Sequence, residues 1–262
     1  QLILNKTVYW IDATADYQRG PLATRYLPDF ERGLVLRPKT VALAVIPQSS
    51  GQSRTVVTEQ FQIQFRDQPS QLKVVTVADG EAADALRAQL ASTPRPQLEK
   101  AYLNYYAKRY PDISQIAPIS ISDDEDQNKI EITELYSVPN IWLRSSEEQH
   151  YHCEFQPTDL GRFIKPPAVP VRTMPLAVGF PANHVFRIEA TLPAIWSFQF
   201  ENKVIEDNAF RLRRTVTGDA RKFVLQYEYS SLTDSVPAER TAQYLRHLDE
   251  ASQILPYWLT GP

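Results

Sequence analysis

One cysteine, one methionine and eight glycines among 262 residues set the first limits. A lone thiol, Cys153, closes no internal disulfide and assembles neither a multi-cysteine zinc site nor an iron–sulfur cluster. So few glycines build no glycine-rich phosphate loop, and the G-x-S-x-G and H-E-x-x-H patterns are missing as well. Charged or polar residues interrupt every apolar run well short of the roughly 18 to 20 residues a membrane helix needs, so no membrane span is expected. Basic charge is not in excess: 28 basic and 31 acidic residues, well mixed, leave a net charge of −3. Such a chain offers phosphate backbones no attractive field, and nucleic acid is not an expected partner.

What is present is a globular composition, 43% hydrophobic and 23% charged, with 20 prolines. Turns built from Pro, Asp, Asn and Ser rather than Gly describe strands joined by stiff loops. The length fits two domains or one large β domain. Gln1 is not a methionine and the first residues already read as a strand, so a part upstream of Gln1 is expected to be missing.

Along the chain, Leu2 to Ile11 reads as a strand ending in the polar turn Asp12-Ala13-Thr14. A loop-rich stretch follows, and the apolar run Val41 to Ile46 closes at Pro47. Residues 1–50 read as the tail of another unit, and polar residues 48–54 as a linker. Phe61, Ile63 and Phe65 alternate with glutamines, a strict period of two, and Leu72 to Val77 repeats the strand pattern. Asp79 suits the cap of a helix over Ala82, Ala85, Leu86 and Leu90. Thr93 and Pro94 suit the entry of a second, with Leu98, Tyr102, Tyr105 and Tyr106 at helical spacing and Pro111 as its stop. Strands resume at Ile119 and Ile121, turn through Asp123 to Asn128 and return through Ile130 to Val138.

Beyond a polar patch at 144–149, further strands are expected at Tyr151 to Phe155, Val185 to Ala190, Trp196 to Phe200, Phe210 to Val216 and Phe223 to Tyr229, a spacing typical of a β-sandwich. A last helix opens near Pro237 with Tyr244, Leu245, Leu248 and Leu255 on one stripe. The expected fold is mainly β with some helix (α+β): β-sandwich-like domains with two or three packed helices, over 51–145 and 146–262.

Several side chains carry candidate chemistry. His150 and His152, two apart on a strand, share a face as a metal-ligand pair would, yet no third ligand is visible and incidental strand histidines are the better reading; no metal or cofactor is expected. The acidic run Asp123 to Asn128 starts like a calcium loop, but Lys129 stands where Gly is needed and Leu135 where a bidentate Glu is needed, so it reads as a solvated hairpin tip. Cys153 lies in a β-prone run rather than at a helix start, which favours a small buried hydrophobe over a nucleophile. Glu147 and Glu148 read as solvated. Tyr102, Tyr105, Tyr106 and Tyr110 offer an aromatic platform or, more simply, core and rim.

The opening residues Val8-Tyr9-Trp10-Ile11-Asp12-Ala13-Thr14, followed by Tyr17-Gln18-x-Gly20, Leu27-Pro28, Gly33-Leu34-Val35-Leu36 and Ile46-Pro47, resemble the end of the transglutaminase-like (papain-like) core of bacterial multidomain proteins. Tyr110-Pro111-x-Ile113, Tyr136-x-Val138-Pro139, Arg172-x-Met174-Pro175-Leu176, Leu192-Pro193-x-x-Trp196 and Tyr227-x-Tyr229 resemble the flanking region of the same proteins, β-sandwich domains of unknown function. The resemblance implies that Asp12 matches the third position of a Cys-His-Asp triad, with Ala13 where the family often has Pro. The Cys and His would then lie upstream of Gln1. On that basis the chain is expected to be a non-catalytic carboxyl-terminal fragment, partnered by the missing catalytic part or by an envelope protein or glycan, in the periplasm or cell envelope. The alternative is a free-standing recognition module that binds polysaccharide or peptide through exposed Tyr and Trp.

Overall fold

The computed structural model describes residues 1–28, 30–47, 53–144, 151–168 and 172–260. In chain order the elements are β1 (Leu2–Leu4), β2 (Thr7–Tyr9), β3 (Arg32–Gly33), β4 (Ala44–Val45), β5 (Ser53–Gln62), β6 (Ser70–Gly80), α1 (Glu81–Ser92), α2 (Arg95–Ala107), β7 (Ser114–Asp124), β8 (Lys129–Val138), β9 (Leu143–Arg144) and β10 (Tyr151–Phe155). There follow β11 (Leu176–Ala177), β12 (Asn183–Thr191), β13 (Glu201–Glu206), β14 (Phe210–Asp219), β15 (Lys222–Ser231), β16 (Ser235–Val236), α3 (Thr241–Gln253) and β17 (Tyr257–Thr260). A 3-10 turn spans Thr158–Arg162. No helix among the described residues is long and apolar enough to cross a membrane.

Eight strands form one mixed sheet in the order β13-β14-β15-β12-β5-β6-β8-β7. Its centre is a parallel pair, with Phe186 beside Val57, Ile188 beside Glu59 and Ala190 beside Phe61. All other ladders of this sheet are antiparallel. The expected boundary at 145/146 therefore does not divide the sheet: four strands come from each side of it, and one apolar cluster runs from Phe61, Leu72 and Tyr136 to Ile188, Leu225 and Tyr227. Two parallel strands need a long crossover, here everything from β6 to the loop before β12, and sequence periodicity carries no information about such pairing.

Alternation assigns the faces. Val57, Glu59, Phe61 and Ile63 are buried on one side of β5, as are Leu72, Val74 and Ala78 on β6 and Ile130, Ile132, Glu134, Tyr136 and Val138 on β8. All three α-helices cover this face: Ala83 packs on Ala78 and Ile130, Leu98 on Ile119 and Ile132, and Tyr244 meets Phe210 edge-on at 5.9 Å. A small sheet, β17-β10-β9, joins the same layer, with Phe155 between Phe61 and Phe223 at 5.3 Å from each. Each such aromatic or leucine buried contributes about 1.5–3 kcal/mol of transfer free energy. The fold is thus mainly β with three helices, an α+β, sandwich-like arrangement. The opposite face of the sheet carries a polar ladder in which Gln60 and Arg187 donate to Glu189, Arg187 donates to Gln226 and Gln226 donates to Glu228.

Several local expectations change. Leu2 to Ile11 is a hairpin, not one strand, because Asn5 and Lys6 take positive φ of 48° and 66°. Gly80, at φ 62°, rather than Asp79 precedes α1, with no side-chain cap. Helix α2 ends at Ala107, where Arg109 and Tyr110 both donate backbone N–H groups to the Tyr106 carbonyl, before Pro111 can act. Trp196 to Phe200 is not a strand: Phe198 leaves the ladder to stack on Phe223 above Gly218, and the strand is Glu201–Glu206. Of the expected linker, residues 48–52 lie outside the described residues, while Ser53 and Arg54 open β5.

The described residues among 1–47 lend no strand to the large sheet and form two short ladders, β1-β2 and β3-β4. Their small interior is Trp10, Leu27 and Ile46, closed onto Gly33, where an added Cβ would lie 3.0 Å from both Trp10 and Ile46. They meet the body at the β7–β8 turn, where the Gly20 N–H donates to the Glu125 carbonyl at 3.0 Å and Arg19 pairs with Glu125 at 2.9 Å.

Candidate functional site

A cavity of about 740 Å³ lies between the covered face of the sheet and the helices above it. Thr55, Val57, Thr76, Ala78, Ile132 and Glu134 make its floor, and α1 contributes Ala82, Ala85 and Leu86. Tyr102, Tyr105 and Tyr106 of α2 form one wall; Asp159, Arg162, Phe163 and His184 form the other. The space stays open where α1 presents the short side chains of Ala82 and, at the mouth, exposed Ala85, which cannot fill it as leucine or phenylalanine would.

Two carboxyl groups sit beneath it on apolar ground. Glu59 is 4% exposed and Glu134 5%. The antiparallel registers place both opposite Val74, one on either side, so they share a row across three strands. Tyr136 donates its hydroxyl to Glu134 at 2.5 Å, and Tyr106 hydrogen-bonds Glu59. Burial dominates over these bonds and raises Glu59 to about 8 and Glu134 to about 7, with the charge of Asp159 pushing both further up. Burial and the nearby Arg162 take His184 the other way, to about 4, so its imidazole is neutral at pH 7. Burial lifts the phenols of Tyr102, to about 12, and of Tyr106, so both remain protonated. The cavity therefore offers aromatic faces, neutral hydroxyls and carboxyls that can gain or lose a proton near neutral pH.

Compared with family models, with curated proteins and with solved structures, the chain matches none.

Asp12 is not in this cavity. It stands near the surface just after β2, where its Oδ1 accepts the Thr14 N–H at 2.9 Å and the Thr14 hydroxyl at 2.6 Å. Those two bonds hold its carboxyl below the usual range. It rims a shallow depression lined by Trp10, Leu27, Phe30 and Ile46, with no histidine or thiol in it. Cys153 is buried between strands, opposite Leu259, and burial pushes its thiol far up. His152 lies edge-on to Trp258 at 5.0 Å; His150, Glu147 and Glu148 lie outside the described residues. Among the described residues no three or more His, Cys, Asp or Glu side chains gather as a metal site.

The acidic turn is a hairpin tip between β7 and β8, with Asp123 to Gln127 exposed and Asn128 buried beneath them. Arg87 of α1 reaches under it, pairing with Asp123 at 2.7 Å and Asp84 at 3.2 Å and donating to the Asn128 side-chain oxygen at 2.5 Å. Asn128, at φ 49°, closes the knot by donating to the Gly80 carbonyl. Of the side chains that resembled calcium ligands, Asn128 is held by Arg87 and the Asp124 Oδ1 accepts the Gln127 N–H at 2.9 Å.

The residues missed by sequence reading are Glu59 and Glu134, together with Asp159 and Arg162. A signal for the first two exists. Each is the single acid at an inward position of an alternating strand, Val57-x-Glu59-x-Phe61-x-Ile63 and Ile130-x-Ile132-x-Glu134-x-Tyr136, where buried carboxyls are rare without a purpose.

Proposed function

We propose that this chain is a non-catalytic carboxyl-terminal part of a transglutaminase-like protein, and that residues 1–47 dock against the catalytic core of the same polypeptide. The observation that carries this is where apolar surface is left uncovered. Eleven of the 23 exposed large hydrophobic side chains among the described residues lie in residues 1–47, with Leu36 87% and Val41 95% exposed. Soluble folds seldom leave so concentrated an apolar surface open unless something packs on it. Asp12 stands at the edge of that surface, the place from which a carboxylate could orient an imidazole brought by the covering part. By the same resemblance the parent belongs in the periplasm or cell envelope.

The coding sequence upstream of Gln1 tests the reading. An in-frame Cys followed by His in a transglutaminase-like pattern is expected, while transamidation and peptidase assays on the 262-residue chain should be blank. Turnover by this chain alone, or an upstream region without that pair, overturns it.

A second reading, recognition of polysaccharide or peptide, draws on one further observation. Trp142 and Trp196 stack at 6.3 Å near the small sheet, and Trp258 on its outer side is 55% exposed. Stacked indoles suit the apolar faces of sugars. Glycan-array binding lost in Trp258→Ala would favour it, and an unchanged profile would remove it.

A further inference from the structure

We propose that the cavity beneath α1 and α2 binds a small organic cation, an ammonium or guanidinium group on an aliphatic stem. This does not rest on the reading of the amino-terminal segment, since the cavity belongs wholly to the body of the fold.

Three observations converge on that ligand class. The cavity is about 740 Å³, inside the usual size of small-molecule sites, and alanines at its helix wall leave it open. Its formal charges are predominantly acidic: Glu81, Glu134 and Asp159 line it against Arg162 alone, and Glu59 lies buried behind the Tyr106 hydroxyl. Arg162 is itself engaged over the Phe163 ring at 4.7 Å. Finally, the walls combine apolar stem contacts, Val57, Ala82, Leu86 and Ile132, with the rings of Tyr102, Tyr105 and Phe163 near the carboxyls. An alkyl chain can lie along the first group while its charged head meets carboxylate and aromatic faces.

Ionised Glu134 in this floor has one hydroxyl donor for two oxygens, whereas a carboxylate accommodates about four. A cation supplies the missing donors and the opposite charge together. An anion would meet three acids, and a neutral ligand would leave the ionised carboxyl uncompensated.

Seating the cation drives Glu134 to ionise, with its proton released to solvent, so binding should strengthen as pH rises through about 7 and level off above 8. The titratable and charged groups around Glu134 are Glu59 on β5, Tyr136 on β8 itself, Glu81 on α1, Tyr102 and Tyr106 on α2, Asp159 and Arg162 on the 3-10 turn, and His184 on β12; of these the Tyr136 hydrogen bond lowers Glu134 and the charge of Asp159 raises it. Of these, His184 stays neutral and the tyrosines stay protonated across the range.

The test is calorimetry on the whole 262-residue chain with n-hexylamine and n-pentylguanidine, against 1-hexanol and a neutral trisaccharide, at pH 5.5 and 8. A cation is expected to bind at least about tenfold more tightly at pH 8 than at pH 5.5, with close to one proton released per cation at pH 5.5 and few at pH 8, since below its pKa the ionised fraction of one carboxyl falls about tenfold per unit of pH. Whichever head group binds more tightly distinguishes ammonium from guanidinium. Glu134→Gln should lose both the affinity and its pH dependence. Ala85→Trp, which plugs the mouth at an exposed helix position without altering a charge, should abolish binding, and it decides the matter if the first variant does not fold. Equal binding of hexanol, preference for the sugar, no cation binding at millimolar concentration, or unaltered binding in Ala85→Trp each overturn the proposal.

Discussion

Replacing Glu59 by glutamine should stabilise the protein at alkaline pH and do almost nothing at pH 5. The buried carboxyl is raised from 4.5 to about 8, and desolvation is the main cause, opposed by the Tyr106 hydrogen bond and by the charge of Arg109. Because the native state holds this proton more tightly than the unfolded chain, the native state binds more protons between pH 4.5 and about 8. Stability tied to this group is therefore fully present below about pH 4.5 and is lost progressively as pH rises to 8. At ~1.4 kcal/mol per pKa unit the loss by pH 8 is on the order of 4 kcal/mol. Glutamine keeps an oxygen to accept the Tyr106 hydroxyl and carries no charge to desolvate, so most of that loss should disappear in the variant. For a chain of this size, roughly 2–4 °C of Tm accompanies each kcal/mol, which puts the ceiling of the gain at pH 8 at about 8–16 °C. The measurement is thermal unfolding followed by circular dichroism, both proteins side by side from pH 5 to 9. Equal Tm differences at pH 5 and pH 8, or a lower Tm for the glutamine variant at pH 8, would show that burial does not hold the wild-type carboxyl protonated.

Three other perturbations follow from the packing. Gly218→Ala would put a Cβ 2.3 Å from the Phe198 ring and 2.8 Å from its Cβ, so a loss of about 1–3 kcal/mol is expected in urea unfolding, and Phe198→Gly in the same chain should remove most of the steric part. Arg87→Met leaves Asp84 buried without its partner and cuts the tie between α1 and the β7–β8 turn; a cost of about 3–5 kcal/mol is expected, falling when Asp84→Asn is added. Iodoacetamide should label Cys153 slowly in the native protein and quickly in denaturant, and fast native labelling would contradict the burial of its thiol.

Much of this architecture was readable one strand or one helix at a time. The glutamine-for-apolar alternation of Phe61 and Ile63 fixed which face of β5 turns inward, and the stripe of Tyr244 and Leu248 fixed the buried side of α3, because both patterns follow local periods of 2 and 3.6 residues. The lone cysteine and the balanced charge bounded the chemistry before any folding. Pairing was not readable. That β5 and β12, some 130 residues apart, lie side by side in parallel, that Val74 separates Glu59 from Glu134, and that Asp159 and Arg162 close the same cavity all depend on contacts between distant parts of the chain. A carboxyl's proton affinity is set by what surrounds it. The sequence could name each glutamate, but only the assembled sheet and helices determined that these two are buried together beneath an open space.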